Sequence, residues 1–197
     1  SHTTCPATPL VESSQETAQE INRLNKKVYQ IISENDHGSQ LARIYWTCRQ
    51  WSYDYLNDFY RSIGTKFDKY YPESETAPVG LKAVEQQQKN RVFEESEGAV
   101  VFKGEVAGLH TRVFITKEGL PTYETKDVGL LLMKAKDYGF DRSIVITGND
   151  IVDYMRVVLA AVKQFEPDLV AKTTHITHGM VKLAGGLKMS SRQGNIL

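Results

Sequence analysis

The hydrophobic pattern of this chain changes its period near Gly64, and that change limits the folds open to it. Before Gly64, residues 15–32 and 40–63 carry apolar side chains at the spacing of amphipathic helices. After Gly64, short β-branched and aromatic runs alternate with helical patterns, as in a parallel sheet covered by helices. We therefore predict an α/β fold, with a helical region over residues 1–64 in front of a second region over residues 65–197.

The second predicted helix carries an aromatic-rich apolar stripe that includes Trp51, Tyr55 and Phe59. A stripe of this kind can stack on nucleic-acid bases, or it can pack inside a protein core. Helical spacing favours the second interpretation, so we predict that these side chains are buried. Gly64 is then the glycine that ends the helix.

The remaining elements follow from the alternation of apolar runs with glycine and proline. Predicted helices cover residues 79–93, 128–138 and 151–165, the last one closed off by Pro167. Predicted strands cover residues 67–71, 99–102, 111–116, 143–147 and 175–183. Glycines between the second and third of these strands predict a paired ribbon.

Composition excludes several classes of protein. Lys plus Arg equals Asp plus Glu at 24 each, so no global field draws this chain to nucleic acid. No apolar run is long enough to cross a membrane, and the first residues lack the apolar core of a signal peptide. The two cysteines have no metal-ligand spacing and suit a reducing compartment. We expect a cytoplasmic protein without membrane contact.

A short basic loop, Lys188-Met189-Ser190-Ser191-Arg192, lies between glycines near the end of the sequence. Lysine supplies a compact positive charge and arginine a planar fork that grips phosphate oxygens in pairs. Such donors stabilise charge that develops between phosphates in a transition state. The same residue types also fit a solvated surface loop, and the string alone leaves both interpretations open.

This loop resembles the signature loop of the class I aminoacyl-tRNA synthetases. Residues 94–102, 108–114 and 119–127 are similar, in order, to consecutive stretches of arginyl-tRNA synthetases, and so are residues 67–75 and 175–181. The resemblance implies the second half of a Rossmann-like nucleotide-binding fold with a helical insertion in front. It also implies an aminoacyl-tRNA ligase that uses ATP to activate L-arginine as arginyl-adenylate and transfers it to tRNA(Arg).

Tyr123 and Asp127 are the candidate residues for binding arginine. If a helix begins near Tyr123, their spacing places a phenol and a carboxylate on one face. A carboxylate can accept two parallel hydrogen bonds from a guanidinium, although an acid also simply favours a helix start. The resemblance implies the first role, because both residues fall on positions that recognise the arginine side chain in that family.

The resemblance also assigns candidate residues for ATP and for catalysis. The strand edge against which adenine lies consists of His178, Gly179, Met180 and Val181. The phosphates are met by the catalytic loop residues, Lys188 and Arg192 as cations and Ser190 and Ser191 as supporting hydroxyls. Magnesium is expected to accompany ATP, held mainly by phosphates and water.

Other polar residues have weaker interpretations. We expect His175 and His178 to share one face of the last strand, but a metal pair needs further ligands, so we predict no metal site. Asn149 and Asp150 are interpreted as a helix cap. Ile151 and Tyr154 stand where the resembling family commonly has Gln and His, and we assign no substrate contact to Ile151.

Two elements of a complete class I enzyme are missing from these 197 residues: the His-x-Gly-His string and a helical anticodon-binding domain after the basic loop. We therefore expect an internal fragment of a monomeric ligase that does not aminoacylate by itself. Two alternatives remain open. One is a synthetase-derived nucleotide- or RNA-binding protein without aminoacylation activity. The other is a different adenylate-forming transferase, against which Tyr123 and Asp127 argue.

Overall fold

The computed structural model describes residues 15–180 and 184–186. The chain divides between Lys69 and Tyr70 into two compact units. Val181, Lys188 and residues 190–192, to which the sequence analysis assigns roles, lie outside the described residues. The assignment of residues 1–64 to an inserted region stays a prediction.

The first unit contains two helices, α1 (Gln15–Ser33) and α2 (Gln40–Ser62). The hydroxyl oxygen of Ser39 caps α2 by accepting a hydrogen bond from the Ala42 N–H at 3.2 Å. Asp36 in turn accepts from the Ser39 hydroxyl at 2.6 Å, and its carbonyl accepts from the Trp46 indole at 2.7 Å. The turn between the helices is thus fixed by its own polar groups.

The apolar stripe of α2 is exposed, so the prediction that it is buried is wrong. Trp51 is 66% and Tyr55 71% exposed, and Phe59 is also exposed. Ala42 is the one residue of α2 that is buried within the described chain. The physical reason is geometric, since a layer of two helices offers too little surface to cover a long aromatic stripe.

The strand predicted over residues 67–71 is also wrong, because residues 65–71 lie outside any helix or strand. The ring of Phe67 packs edge-on against Tyr60, with ring centres 4.8 Å apart. This apolar side chain is therefore packed against a helix and not in a β-sheet. Tyr71 precedes Pro72, which has no N–H to donate and is the N-cap residue of the next helix.

The second unit alternates helices and strands, and the predicted α/β class is confirmed. Its helices are α3 (Glu73–Lys89), α4 (Tyr123–Tyr138), α5 (Val152–Lys163) and α6 (Pro167–Ala171). Its strands are β1 (Glu94–Ser96), β2 (Ala99–Phe102), β3 (Arg112–Ile115), β4 (Ser143–Gly148) and β5 (Thr173–His178). Short 3-10 turns cover Gly104–Ala107, Asn149–Ile151 and Ala184–Gly186.

Two prolines are placed differently from the sequence prediction, because a proline removes one backbone N–H but does not always end a helix. Helix α3 begins at Glu73 and contains Pro78, whereas the sequence predicted a start after that proline. Pro167 lies in the first turn of α6, so it opens a short helix and does not merely end the preceding one.

The strands form two separate sheets. Strands β1, β2 and β3 form an antiparallel sheet in that order, with Val101 opposite Val113, which confirms the predicted ribbon and adds β1 to it. Strands β4 and β5 pair in parallel from Ser143–Thr173 to Gly148–His178. The single parallel sheet expected from the sequence is therefore reduced, among the described residues, to this pair. Strand β5 ends at His178, short of the predicted range.

The core of the second unit lies between the antiparallel sheet and helices α3, α4 and α5. The rings of Phe93, Phe102 and Phe114 meet there, with Phe93 4.8 Å from Phe114. Val128 of α4 and Val158 of α5 are fully buried in the same cluster. This packing brings the first turns of α4 and α5 to the same region of the unit.

Candidate functional site

The start of helix α4 is anchored to strand β3 by two threonines. The Thr122 N–H donates to the Phe114 carbonyl at 2.9 Å, and the Thr122 hydroxyl lies 2.9 Å from the Val113 carbonyl and 3.0 Å from the Phe114 carbonyl. The buried hydroxyl of Thr125 donates to the same carbonyl at 2.5 Å. Because these hydrogen bonds tie both threonines to β3, the first turn of α4 has a defined position, and the side chains it presents are pre-organised.

Asp127 projects from the second turn of α4 toward the first turn of α5. The Tyr154 hydroxyl donates a hydrogen bond to the Asp127 Oδ2 atom at 2.5 Å. Both side chains are partly buried. Tyr154 follows strand β4 after one 3-10 turn, so this contact lies beyond the carboxyl end of a parallel strand, where ligands bind in open α/β sheets.

Burial raises the pKa of the Asp127 carboxyl above its ordinary value, and the hydrogen bond from Tyr154 opposes that shift. The carboxylates of Glu73 and Glu124 raise the pKa further by repulsion, whereas Lys126 lowers it. The pKa of the Tyr154 phenol is also raised, first by burial and then by the charge of Asp127. Burial and the two neighbouring acids therefore raise the free energy of the ionised Asp127 carboxylate. A bound cation would lower that free energy.

Tyr123 has a different environment from Asp127. Its ring is 57% exposed, and the Lys126 ammonium lies 4.7 Å from the ring centre. Lys126 also forms an ion pair with Glu73 of α3, with 2.6 Å between Nζ and Oε2. Helix α4 begins at Tyr123, as the i, i+4 spacing of Tyr123 and Asp127 required. The role of Tyr123 and Asp127 in binding arginine stays a prediction.

Arg112 of strand β3 completes the polar cluster. Its Nη1 atom lies 3.0 Å from the buried Glu124 carboxylate, and its guanidinium lies 5.4 Å from the centre of the Tyr154 ring. One cation therefore neutralises a buried acid and covers the ring whose hydroxyl holds Asp127.

The sequence analysis missed three members of this cluster: Arg112, Tyr154 and the Glu73 carboxylate. Tyr154 carried a signal, because a tyrosine on an otherwise apolar helix face usually needs a partner for its hydroxyl. No comparable signal exists for Glu73 or Arg112, whose partners lie on other elements 53 and 12 residues away.

The second part of the site is the carboxyl end of the parallel pair. A β-carbon at Gly148 would lie 2.9 Å from the Met180 Sδ atom, so Met180 packs directly over the glycine at the end of β4. His178 is exposed, and its Nδ1 atom lies 2.9 Å from the Gly179 carbonyl. The structure thus brings Gly148 and Met180 together at one edge of the parallel pair.

His175 and His178 do not share a face, and that expectation is wrong. Residues three apart on a strand point to opposite sides, since side chains alternate. His175 instead lies 2.7 Å from the Thr147 hydroxyl on the neighbouring strand. Within residues 15–180 and 184–186, no group of three or more His, Cys, Asp or Glu side chains could hold a metal ion.

Neither Asn149 nor Asp150 is the N-cap residue of a helix, so the interpretation of these two residues as a helix cap is wrong. Both residues belong to a 3-10 turn that follows Gly148, and the N-cap residue of α5 is Ile151. The 3-10 turn carries the chain from the end of β4 into the first turn of α5, which contains Tyr154.

A family model described as "tRNA synthetases class I (R), catalytic domain" matches residues 10–197. The chain belongs to this family. The match confirms the resemblance found in the basic loop and in the ordered segments from residue 67 onward.

Curated relatives carry the name arginine–tRNA ligase. The protein from Flavobacterium psychrophilum is 30% identical over 171 residues, which cover 85% of this chain and 28% of the relative. The protein from Porphyromonas gingivalis strain W83 is 29% identical over 186 residues, which cover 93% of this chain and 31% of the relative. The chain thus spans about three tenths of the length of these relatives.

Two solved structures share the fold. The arginyl-tRNA synthetase of Plasmodium falciparum superposes with a TM-score of 0.66 at 17% identity, over 86% of this chain and 30% of that chain. A putative arginyl-tRNA synthetase from Campylobacter jejuni gives 0.63 at 18% identity, over 95% of this chain and 43% of that chain. Among the described residues of this chain, no helix is long and apolar enough to span a membrane.

Proposed function

We propose that this chain is the part of an arginine–tRNA ligase that binds L-arginine and holds it against ATP. The observation that carries the proposal is the Asp127 carboxylate, partly buried at the start of α4 and held by Tyr154. It occurs in a chain of the class I tRNA synthetase (R) family. The other residues proposed to bind the substrate are Tyr123 and the strand edge at Met180.

The arginine side chain suits this carboxylate. A guanidinium is planar and permanently charged, and it donates two parallel hydrogen bonds to a carboxylate. Asp127 carries repulsion from Glu73 and Glu124, so a bound cation would relieve the electrostatic cost of its ionised form. Tyr123, exposed beside the same helix start, is placed to cover the ligand.

ATP is proposed to bind at the carboxyl edge of β4 and β5. Gly148 has no β-carbon at that edge, which lets the Met180 side chain pack directly against it. Residues 178–181 would contact adenine, and the basic loop with Lys188 and Arg192 would reach the phosphates. Magnesium would enter with ATP, bound through phosphate oxygens and water.

The proposed reaction needs no side-chain nucleophile. A carboxylate oxygen of arginine attacks the α-phosphorus of ATP, the α–β phosphoanhydride bond breaks, and pyrophosphate leaves with the electron pair. Arginyl-adenylate remains, and a ribose hydroxyl of tRNA(Arg) then displaces AMP. The protein contributes alignment of the two substrates and positive charge from Lys188 and Arg192 at the departing phosphates.

The sources of specificity can be tested by ligand binding to the 197-residue chain, measured by isothermal titration calorimetry. L-Arginine and L-citrulline have nearly the same shape, but citrulline carries a neutral urea. We expect arginine to bind at least about tenfold more tightly, because a charged donor pairs with Asp127. Equal affinity for the two amino acids would contradict the proposed site.

A matched pair of variants assigns the effect to Asp127. Asp127→Asn removes the charge and keeps the shape, and we expect it to weaken arginine binding by roughly 30-fold or more. Asp141→Asn removes the same charge from an exposed position after α4 and should leave arginine affinity unchanged. Loss of affinity in both variants would point to net charge and not to a site.

The activity itself is tested by ATP–pyrophosphate exchange in a natural polypeptide that contains this sequence. We expect exchange that depends on arginine and stops with Asp127→Asn. Exchange driven by another amino acid would favour a different adenylate-forming transferase, and binding of ATP or RNA without exchange would favour the non-enzymatic alternative. We expect the 197 residues alone to lack aminoacylation, since they contain no His-x-Gly-His string.

A further inference from the structure

The contact between Tyr154 and Asp127 joins two helices at the centre of the proposed arginine site. The phenol donates to Oδ2 of the carboxylate at 2.5 Å. A carboxylate has about four acceptor positions on its two oxygens. One bond from Tyr154 fixes the orientation of the group and leaves Oδ1, and a second position on Oδ2, open to another donor.

The neighbouring cations pair with other acids. Arg112 lies 3.0 Å from Glu124, and Lys126 lies 2.6 Å from Glu73. These two ion pairs flank Asp127 from strand β3 and helix α3. Asp127 is thus held by a neutral donor, and the two neighbouring acids have cations of their own, an arrangement that keeps the negative charge of Asp127 available.

Tyr154 is itself held in place. The Arg112 guanidinium lies over its ring at 5.4 Å from the ring centre, while Arg112 is fixed by Glu124. The chain of contacts runs from Glu124 through Arg112 and Tyr154 to Asp127. Each member restricts the freedom of the next, so the carboxylate is pre-organised before any ligand arrives.

We propose that Tyr154 is a positioning residue that orients the Asp127 carboxylate to receive a guanidinium group, with Arg112 holding the Tyr154 ring. This inference rests on the proposed function. It assigns a role in arginine recognition to the first turn of α5, at a position for which the sequence argument found no role.

The first test measures the pKa of the Asp127 carboxyl directly, by NMR titration of the 197-residue chain labelled with ¹³C at aspartate. The groups that face Asp127 are Glu73 and Glu124 as anions, Lys126 as a cation and Tyr154 as a donor. Because the phenol stabilises the ionised carboxylate, Tyr154→Phe should raise the pKa of Asp127 above its value in the unchanged chain. An unchanged titration would overturn the inference, whatever the chain binds.

The second test measures arginine binding by the same variant. Loss of a hydrogen bond to a charged group corresponds to roughly tenfold weaker binding, so we expect about that loss in Tyr154→Phe. The acid limb of arginine binding should also move to higher pH, because Asp127 becomes harder to ionise. Tyr138→Phe removes an exposed hydroxyl at the other end of α4 and should change neither property.

A double variant separates positioning from a general effect on the fold. In the Asp127→Asn background, Tyr154→Phe should cause little further loss of arginine affinity, because the carboxylate it orients is gone. Additive losses would overturn the inference. If neither the unchanged chain nor Tyr138→Phe binds arginine, the proposed function fails, while the titration of Asp127 still reports on its contact with Tyr154.

Discussion

Gly129 of α4 lies directly against the Thr76 carbonyl of α3: a β-carbon at Gly129 would be 2.0 Å from that oxygen. Gly80 of α3 has the reciprocal relationship with the Thr125 carbonyl, at 1.8 Å. The two helices therefore cross with their backbones in contact, which glycine alone permits. This crossing sets the distance between Glu73 and the first turns of α4.

Gly129→Ala is expected to destabilise the second unit by about 2 kcal/mol, because the added methyl meets backbone that cannot rotate away. Urea unfolding followed by circular dichroism measures the change. Gly179→Ala is the matched control, since a β-carbon there has open space and no positive φ. It should leave stability within about 0.5 kcal/mol of the unchanged chain. Equal stability of all three proteins would contradict the close crossing.

Arg112→Met should lower the free energy of unfolding by about 2 kcal/mol, because it leaves the buried Glu124 carboxylate without its cation. The control is Lys103→Met, which breaks an exposed pair with Glu94 at 2.6 Å and should cost much less, because solvent screens that pair. Thermal unfolding of both variants checks the difference. If Arg112→Met lowered the free energy of unfolding no more than Lys103→Met does, the buried Glu124 carboxylate would not depend on Arg112 as its cation.

Alkaline stability should depend on Tyr154. Its pKa is raised above the ordinary value of 10.0 in the folded chain, first by burial and then by Asp127. The folded state therefore keeps a proton that the unfolded state loses above pH 10, so the stabilisation is present below that pH and declines as pH rises. Tyr154→Phe should show a shallower loss of stability with pH.

Urea unfolding at several values between about pH 9 and 11 measures that slope. Tyr138→Phe, which removes a 56% exposed phenol from the end of α4, should keep the slope of the unchanged chain. A Tyr154→Phe variant with the same slope would mean that its phenol is not protected from ionisation by the fold.

Local patterns predicted most of the second unit. The run Ala99–Phe102 is a strand at the predicted bounds, and α4 ends at Tyr138 as predicted, although it begins at Tyr123 and not at Val128. Such features depend on neighbouring residues, so the sequence contains them directly.

Features that depend on tertiary contacts escaped the sequence argument. The hydrogen bond from Tyr154 to Asp127 joins residues 27 apart on two helices, and it exists because α4 and α5 pack on the same core. The prediction that the apolar stripe at Trp51 is buried was wrong for the converse reason. Helical spacing defines an apolar face, but only the presence of a second surface decides whether that face is buried.

Gly148→Ala is expected to weaken ATP binding with little effect on stability. The added β-carbon would lie 2.9 Å from Met180 Sδ and 2.7 Å from Asp150 Oδ1, and both are side-chain atoms that can move. Moving them costs less than about 1 kcal/mol, but it shifts the strand edge proposed to contact adenine. Binding of a fluorescent ATP analogue to the 197-residue chain should weaken several-fold, while urea unfolding stays close to that of the unchanged chain. Gly38→Ala, whose β-carbon would have an ordinary contact at 3.6 Å in the first unit, serves as the control. Unchanged ATP affinity in Gly148→Ala would place the adenine away from Met180, because a shift of the Met180 side chain would alter the affinity of any ligand packed against it.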